Sequence, residues 1–228
     1  MSNPSIPRTA RDRARAEVTS EIVDAARRHL GVHGAAGLSL RAVTRELGMA
    51  SSAIYRYFPS RDNLLTRLII DAYNDLGETV EQAEAVVARS DLLGRWMAVA
   101  MTTRAWGLAH PEEWTLIYGS PVPGYAAPDD TIAPATRVAA VLLRQLADGY
   151  RSGRAPEPQP VPRPVRSAIK PLREFSGDGA PDDLLVRGLM AMTQLIGAVM
   201  LEINGQFKNT IDDLEAYFEL TMRRSFVF

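Results

Sequence analysis

The residues best suited to chemistry in this sequence lie in one short stretch, GMASSAIYRYFPSR, at positions 48–61. The stretch gathers serine hydroxyls, two tyrosine rings and two guanidinium groups around a few apolar positions. Hydroxyl and guanidinium groups hydrogen-bond base edges and phosphate oxygens, and a tyrosine ring can contact the methyl group of thymine. This combination favours contact with nucleic acid over covalent catalysis.

Patterns typical of catalysis are missing from the sequence. It contains no cysteine, no glycine-rich phosphate loop and no Gly-x-Ser-x-Gly sequence. His29 and His33 have the spacing of a helical metal pair, but no nearby cysteine or matched acid completes a site. Two imidazoles at a helix C-terminus also suit the helix dipole, and we predict that role for them. We therefore expect no enzymatic activity, no cofactor and no metal.

The formal net charge of −1 hides an uneven distribution. Residues 1–70 hold eleven arginines, no lysine and six acidic residues, so this part carries +5 and the remainder −6. Such an asymmetry indicates that only the N-terminal part meets a polyanion. Small basic domains without such a partner also exist, so the charge alone leaves both possibilities open.

The 228-residue chain has the composition of a globular protein, with 46% hydrophobic and 23% charged residues. Its N-terminus contains no apolar stretch of the kind found in signal peptides. The longest apolar run, 187–202, is interrupted by Thr193 and Gln194, and we expect it to be too short and too polar to span a bilayer. The sequence thus predicts a cytoplasmic protein without a membrane partner.

Helical periodicity dominates the chain, and no stretch alternates apolar and polar residues as a strand would. Ser39 is a candidate N-cap, Gly48 and Pro59 are candidate terminators, and Ser60 can cap a long helix. The predicted helices of the first part are 19–32, 40–47, 51–58 and one from 61 towards 87. The fold class is therefore predicted to be all-α.

Two short helices joined by the tight turn 48–50 and braced by a preceding helix form a helix-turn-helix pattern. In this motif the second helix enters the major groove of DNA. The apolar spacing places the core side of that helix at Ala53, Ile54 and Phe58. Four residues then remain for its outer side: Ser51, Ser52, Tyr55 and Arg56. An amphipathic hairpin whose aromatic residues pack against the next helix would show a similar spacing, and the pattern alone leaves that alternative open.

Residues 37–65, GLSLRAVTRELGMASSAIYRYFPSRDNLL, resemble the DNA-binding signature of the tetracycline-repressor (TetR) family. The matching positions are Ser39, Leu40, Arg41, Val43, Leu47, Gly48, Ile54, Tyr55, Tyr57, Phe58, Ser60, Arg61 and Leu64. The departures are Ala50, where a capping Ser or Thr is frequent, and Arg61, where lysine is usual. The resemblance implies an all-helical homodimer that regulates transcription, usually as a repressor released by a small ligand.

The same resemblance implies which residues touch DNA. Base or groove contacts fall to Arg41, Ser51, Ser52 and Tyr55, and phosphate contacts to Arg56, Tyr57 and Arg61. Tyr57 is also a candidate core residue. The arginines of the N-terminal segment, Arg8, Arg11, Arg13 and Arg15, either follow the minor groove and phosphates or belong to a solvated tail.

We divide the chain into a flexible basic arm at 1–16, a helix-turn-helix domain at 17–65 and an effector-binding and dimerisation domain at 66–228. The predicted helices of the last part are 91–109, 110–118, 134–150, 165–175, 182–204 and 210–226. A proline-rich connection, SGRAPEPQPVPRP, separates the third of these helices from the fourth.

The segment AWGLAHPEEWTLIYG at 105–119 resembles the C-terminal domain of a TetR subgroup called the WHG domain. Aromatic and methionine residues cluster in this region at helical spacing: Trp96, Met97, Met101, Trp106, Trp114 and Tyr118. Such residues suit a pocket for an apolar or aromatic effector, and they equally suit an ordinary core. The sequence does not identify the effector.

The last two predicted helices are more apolar than one small domain requires, which favours an isologous four-helix contact between two copies. The candidate interface residues are Leu189, Met192, Ile196, Val199, Leu214 and Phe218. Two-fold symmetry would then require double-stranded DNA with a near-palindromic operator. A fully internal helix pair is the alternative for these helices. A helical protein-binding adaptor, or a TetR-like activator, is the alternative for the function.

Overall fold

The computed structural model describes residues 9–176, 180–226 and 228, and over these residues it contains helices and no strand. The α-helices, numbered in chain order, are α1 Ala10–His33, α2 Leu40–Glu46, α3 Arg61–Ala85, α4 Leu92–Ala109, α5 Pro111–Tyr118, α6 Ile132–Ala135, α7 Arg137–Arg151, α8 Arg163–Ala168, α9 Lys170–Ser176, α10 Asp182–Ile203 and α11 Leu214–Arg224. A 3-10 turn, Ile54–Arg56, lies between α2 and α3. The predicted all-α class is confirmed.

The first three helices pack around one apolar cluster. Ile22 and Ala26 on α1, Val43 on α2 and Leu65 on α3 are completely buried there, and Ile54 of the 3-10 turn joins them. One face of each element is thereby committed to the cluster, and the opposite face remains in solvent.

Helix α1 begins earlier than predicted, at Ala10. The Thr9 hydroxyl accepts a hydrogen bond from the Asp12 amide at 3.1 Å, and the Asp12 carboxylate accepts one from the Thr9 amide at 3.2 Å. This reciprocal capping box satisfies two amides at the start of the helix. Residues 10–16 are consequently helical, so the prediction of a flexible arm is wrong for them, and Arg8 lies outside the described residues.

The second helix of the motif is shorter than predicted. In place of an α-helix, the chain forms turns followed by the 3-10 turn Ile54–Arg56. The amides of Tyr57 and Phe58 both donate to the carbonyl of Ile54, at 2.9 Å each. Ala50 offers no hydroxyl to cap a longer helix, and Pro59 disfavours helical backbone in the residue before it. The segment is therefore held to about one turn.

Helix α3 belongs to both halves of the chain. It has 25 residues, and the Ser60 hydroxyl caps it by accepting a hydrogen bond from the Asn63 amide at 3.1 Å. Leu64 is completely buried in the N-terminal cluster, whereas Leu76 and Val80 are completely buried in a second, C-terminal cluster. One continuous helix thus joins the two cores.

The C-terminal cluster is enclosed by α3, α4, α5, α7, α10 and α11. Trp114 on α5, Val141 on α7, Val199 on α10 and Met222 on α11 are completely buried in it. Gly107 lets α5 and α10 approach α4 closely, since a Cβ at this position would lie 2.7 Å from Val199 and 2.8 Å from Trp114. The absence of a side chain at this position is therefore a packing requirement.

Two predicted helices are each divided. The helix predicted over 134–150 becomes α6 and α7 on either side of Thr136, whose hydroxyl bonds to two carbonyl oxygens of the preceding turn. Such a side-chain bond competes with the helical ladder. The helix predicted over 165–175 becomes α8 and α9, with the break at Ile169, two residues before Pro171, which lacks the amide hydrogen that a continuous helix would use there.

Helix α10 is long and apolar enough, by length and composition alone, to cross a membrane, with a window of mean hydropathy 1.8. The expectation that this run is too short and too polar is therefore wrong, because the apolar character extends beyond 187–202. In the fold, α10 packs against α4, α5, α7 and α11. Only 28% of the apolar window is buried inside the chain, so one face of the helix remains uncovered.

Candidate nucleic-acid interface and effector region

The outer side of the helix-turn-helix is polar and open to solvent. Its exposed residues include Arg41, Ser51, Ser52, Tyr55 and Arg56, which we call the reading surface. Tyr55 is 51% exposed, whereas Ile54 beside it is completely buried and Phe58 nearly so. The apolar anchors hold the segment while the polar side chains stay accessible.

Backbone geometry fixes the turn that carries the reading surface. Gly48 has a φ of 64°, in the left-handed region that favours glycine. The buried Thr44 hydroxyl donates to the Arg41 carbonyl at 3.0 Å, and the Met49 amide donates to the Thr44 carbonyl at 2.9 Å. These bonds determine how α2 and the 3-10 turn sit relative to each other.

Arg15 on α1 supports the reading surface from behind. Its Nη2 donates to the carbonyl oxygen of Arg56 at 2.8 Å, and its guanidinium lies 5.3 Å from the centroid of the Tyr57 ring. Tyr57 is half-buried and packs against the N-terminal cluster, as its core alternative requires. From the sequence alone, Arg15 is assigned to an arm. Its hydrogen bond to the Arg56 carbonyl joins residues 41 positions apart, and no local sequence pattern reveals a contact of that kind.

Arg61 is turned towards the fold. Its Nε donates to the Leu38 carbonyl at 3.0 Å, and its Nη2 donates to the Ala35 carbonyl at 2.7 Å. The side chain is 29% exposed. These bonds hold the loop between α1 and α2, so the donors concerned are engaged internally instead of being offered to a phosphate.

Side-chain contacts with Glu46 hold α2 against α1. Arg28 donates to the Glu46 carboxylate at 2.8 Å, and His29 Nε2 lies 3.9 Å from the same carboxylate. The rings of His29 and His33 lie 5.1 Å apart. Within the described ranges, no group of three or more His, Cys, Asp or Glu residues is placed to hold a metal ion.

Two family profiles match the chain. The one described as "Bacterial regulatory proteins, tetR family" covers residues 22–68, and "Tetracyclin repressor-like, C-terminal domain" covers 96–225. The HTH-type transcriptional regulator Rv1816 of Mycobacterium tuberculosis is 41% identical over 196 residues, which span 85% of this chain and 84% of that protein. The chain belongs to the TetR family of transcriptional regulators. TetR proteins are DNA-binding regulators and not enzymes, which confirms both of those predictions.

Solved structures share the TetR architecture. The structure of SCO4313 is 35% identical with a TM-score of 0.79, and the match covers 95% of this chain and 98% of that one. FadR of Bacillus subtilis, solved in complex with stearoyl-CoA, is 14% identical with a TM-score of 0.63, covering 91% and 97%. At that identity the likeness to FadR concerns the fold alone. The resemblance to the WHG subgroup remains a prediction.

The aromatic residues of the TetR C-terminal domain are mostly packed. Trp96, Met97, Trp106 and Trp114 lie in the buried cluster, and Met101 and Tyr118 pack against it. The Trp96 indole donates to the Met222 carbonyl at 2.7 Å, and the Trp106 indole donates to the Asp75 carboxylate at 2.6 Å. Trp96 lines an apolar cavity and Trp106 borders a separate polar cleft. An ordinary core therefore describes the predicted pocket residues better than one shared pocket does.

Tyr73 on α3 and Tyr118 on α5 meet between the two halves of the TetR fold. Their rings are edge-to-face with centroids 6.0 Å apart, and the Tyr73 hydroxyl donates to the Ile117 carbonyl at 2.9 Å. Burial raises the pKa of both phenols, because a buried phenolate is poorly solvated. Both groups stay neutral at physiological pH and tie α3 to α5.

Two of the predicted dimer residues face inward. Val199 is completely buried and Phe218 is 2% exposed, so a partner cannot reach them and the prediction is wrong for both. Three others are half-buried: Met192, Ile196 and Leu214. The most exposed apolar residues of α10 and α11 form what we call the outer stripe: Leu189, Met190, Leu201, Tyr217 and Leu220. Sequence periodicity could not select this register, because both sides of α10 are apolar.

Proposed function

We propose that this TetR-family protein is a homodimeric repressor that binds a near-palindromic operator in double-stranded DNA and releases it when a small apolar or aromatic ligand binds. The observation that carries the DNA-binding assignment is the reading surface, whose polar side chains are exposed beside completely buried anchor residues. A DNA target implies a cytoplasmic location for the protein.

Base contacts fall to four residues of the reading surface, namely Arg41, Ser51, Ser52 and Tyr55. A good base contact gives about 1–3 kcal/mol of discrimination against the wrong base. Arg56, exposed at the end of the 3-10 turn, contacts a phosphate. Tyr57 and Arg61 act indirectly, since the first packs beneath the surface and the second holds the loop between α1 and α2.

The outer stripe supports dimerisation through α10 and α11. Its five residues are between 41% and 66% exposed, which is unusual for large apolar side chains on neighbouring helices. Gly197 on α10 has no heavy atom within 4 Å of the position of a Cβ, so there is room for a partner's side chain. A second copy would cover the stripe in an isologous four-helix contact. The two reading surfaces then meet half-sites one helical turn, or a multiple, apart.

Ligand release is supported by the way α3 spans both cores. Arg137 on α7 donates to the Glu81 carboxylate at 2.7 Å and to the Asn74 carbonyl at 2.9 Å, so α7 is fixed to α3. A ligand that displaces α7 would tilt α3 and change the spacing of the two reading surfaces. Such a switch requires tighter ligand binding to the DNA-free form, with a coupling of about 1–3 kcal/mol. FadR, of the same fold, was solved with stearoyl-CoA, a ligand whose stearoyl chain is apolar and whose coenzyme A part is charged.

The experiment follows DNA and protein in the same sample. Labelled operator duplex is titrated with protein at several salt concentrations, and small aromatic compounds are then added while DNA anisotropy and tryptophan fluorescence are recorded together. We expect salt-dependent duplex binding and parallel changes in both signals. A ligand that saturates the fluorescence change without changing operator affinity would contradict release. Absence of salt-dependent duplex binding would favour the adaptor alternative, and tighter operator binding with ligand would contradict a released repressor.

A further inference from the structure

A cavity beside the segment that follows α11 has the features of a ligand site. It lies between α4, α7 and α10, and its lining includes Trp96, Leu142, Leu146 and Ala191. Its volume is about 20 Å³, which is room for about one water molecule. In this state the cavity is too small for an organic ligand.

Phe226 and Phe228 fill the neighbouring space. Both residues line the cavity, and their rings meet edge-to-face with centroids 5.7 Å apart. Gly149 on α7 makes room for Phe228, because a Cβ at that position would collide with the Phe228 ring. Glycine inside a helix is otherwise unfavourable, so α7 is adapted to an aromatic ring at this point.

Gln145 contributes an unpaired hydrogen-bond donor to the site. It lines the cavity and is 4% exposed, and its side-chain nitrogen has no hydrogen-bond partner among the described residues. A buried donor without an acceptor is unfavourable, and a phenylalanine ring supplies no acceptor comparable to oxygen. The side chains that line the cavity carry no formal charge, which favours a neutral ligand.

We propose that Phe228 is an internal plug of the effector cavity, displaced by a neutral aromatic molecule whose single hydrogen-bond acceptor takes the Gln145 donor. This proposal rests on the ligand release proposed above and identifies its site. The plug follows α11, a helix that contributes to the outer stripe, so its displacement acts next to the proposed dimer contact. The effector and Phe228 compete for the same space.

The direct test observes Phe228 while a probe binds. Phe228 is replaced by 4-fluorophenylalanine in the full chain, and acetophenone, which carries one carbonyl acceptor, is titrated while the fluorine resonance is recorded. We expect the resonance to move to a solvent-like position as the probe saturates. The same label at Phe175, which is 50% exposed, provides the solvent reference. A probe that saturates the protein while the Phe228 resonance keeps its original position would overturn the proposal.

The second test removes the plug and the donor separately. Phe228→Ala should bind acetophenone at least about tenfold more tightly than the wild type, because no plug has to be displaced. Phe175→Ala is the matched control and should bind it like the wild type. The isosteric hydrocarbon α-methylstyrene has no acceptor and should bind about fivefold more weakly than acetophenone, the ratio expected for one net hydrogen bond. Gln145→Met should abolish that preference.

The outcomes separate this proposal from the release mechanism. Equal acetophenone affinity in Phe228→Ala, Phe175→Ala and the wild type would overturn the plug, whether or not other ligands release the operator. Displacement of Phe228 with unchanged operator affinity would support the plug and contradict release. If Phe228→Ala does not fold, the fluorine measurement in the otherwise unchanged chain still decides the question.

Discussion

At the scale of single residues, the arginines of the N-terminal half differ in what their guanidinium groups touch. Arg56 is exposed on the reading surface, Arg61 is bonded to three backbone carbonyls, and Arg15 lies against the Tyr57 ring. A charge in solvent is available to a phosphate, whereas a charge bonded to carbonyls stabilises a loop. Equal charges in this domain therefore have unequal roles.

This difference predicts opposite results for two alanine variants. Arg56→Ala should reduce the slope of log affinity against log salt by about one unit, because one phosphate contact is lost. Arg61→Ala should leave that slope unchanged and lower the free energy of unfolding by about 1–3 kcal/mol, because three carbonyls lose a charged donor. Duplex binding at several salt concentrations and urea unfolding measure the two quantities. A reduced slope with unchanged stability in Arg61→Ala would contradict the inward assignment.

Tyr55 should contribute to specificity more than to general affinity. Tyr55→Ala is expected to weaken operator binding by about 1–3 kcal/mol while binding to unrelated duplex stays the same, because a base contact carries the sequence information. Tyr150→Ala is the control, since Tyr150 is 42% exposed on α7 and lies outside the reading surface. An equal loss on both duplexes would show that Tyr55 binds the backbone instead.

At the scale of elements, the contact between α3 and α7 shows how the switch could be transmitted. Gly77 on α3 brings the helices together, since a Cβ there would lie 2.8 Å from the Arg137 side chain. The Arg137 guanidinium then bonds Glu81 one turn further along α3. A close crossing of this kind moves as a unit when either helix shifts.

The Glu81 pair predicts a pH dependence of stability. The hydrogen bond from Arg137 lowers the pKa of Glu81 below its ordinary value of 4.5. A carboxyl whose pKa is lowered in the folded state stabilises the protein above its unfolded pKa, and this contribution is lost as pH falls through the folded pKa. Glu81→Gln should therefore show a shallower fall in the free energy of unfolding below about pH 4.5.

Urea unfolding between neutral and acidic pH measures this effect. The control is Glu157→Gln, because Glu157 is exposed in the proline-rich connection. If Glu81→Gln and the wild type lose stability in parallel as pH falls, the Arg137 pair does not couple α7 to α3 through charge.

The sequence predicted most elements of the fold but not their long-range contacts. Apolar periodicity and the Ser60 cap correctly placed α3, and the helix predicted over 110–118 corresponds to α5. The helix predicted over 51–58 is too long, because the spacing of apolar residues does not distinguish an α-helix from the 3-10 turn that forms there. The inward turn of Arg61 depends on carbonyls 23 and 26 positions away. The spacing of residues along the sequence does not reveal which distant carbonyl a side chain will bond.

At the scale of the whole molecule, the proposed dimer requires the outer stripe and the reading surface to act together. A single reading surface offers few base contacts, and two of them fixed by one symmetric interface share the same operator. The uncovered face of α10 and the exposed residues of α11 are the described surfaces that suit such an interface. In the proposed dimer, the two-fold symmetry of the interface therefore requires the same symmetry in the operator.

Charge placed in the outer stripe should separate the two copies. Leu189→Glu combined with Met190→Glu is expected to give monomers at micromolar concentration, because the interface would bury unpaired like charges. Operator affinity should fall towards that for unrelated duplex, while the fold is retained. Val86→Glu is the control, since Val86 is 85% exposed at the end of α3. Sedimentation decides the matter, and a charged variant that remains dimeric would place the interface elsewhere.

Selection of bound duplexes from a random pool by the wild-type protein tests most directly whether this chain reads DNA as a symmetric dimer. We expect one enriched motif with two-fold symmetry and half-sites about one helical turn, or a multiple, apart. We also expect Tyr55→Ala to enrich the same motif more weakly at unchanged half-site spacing. Enrichment of no motif, or of one without two-fold symmetry, would contradict a dimeric regulator that reads DNA through this surface.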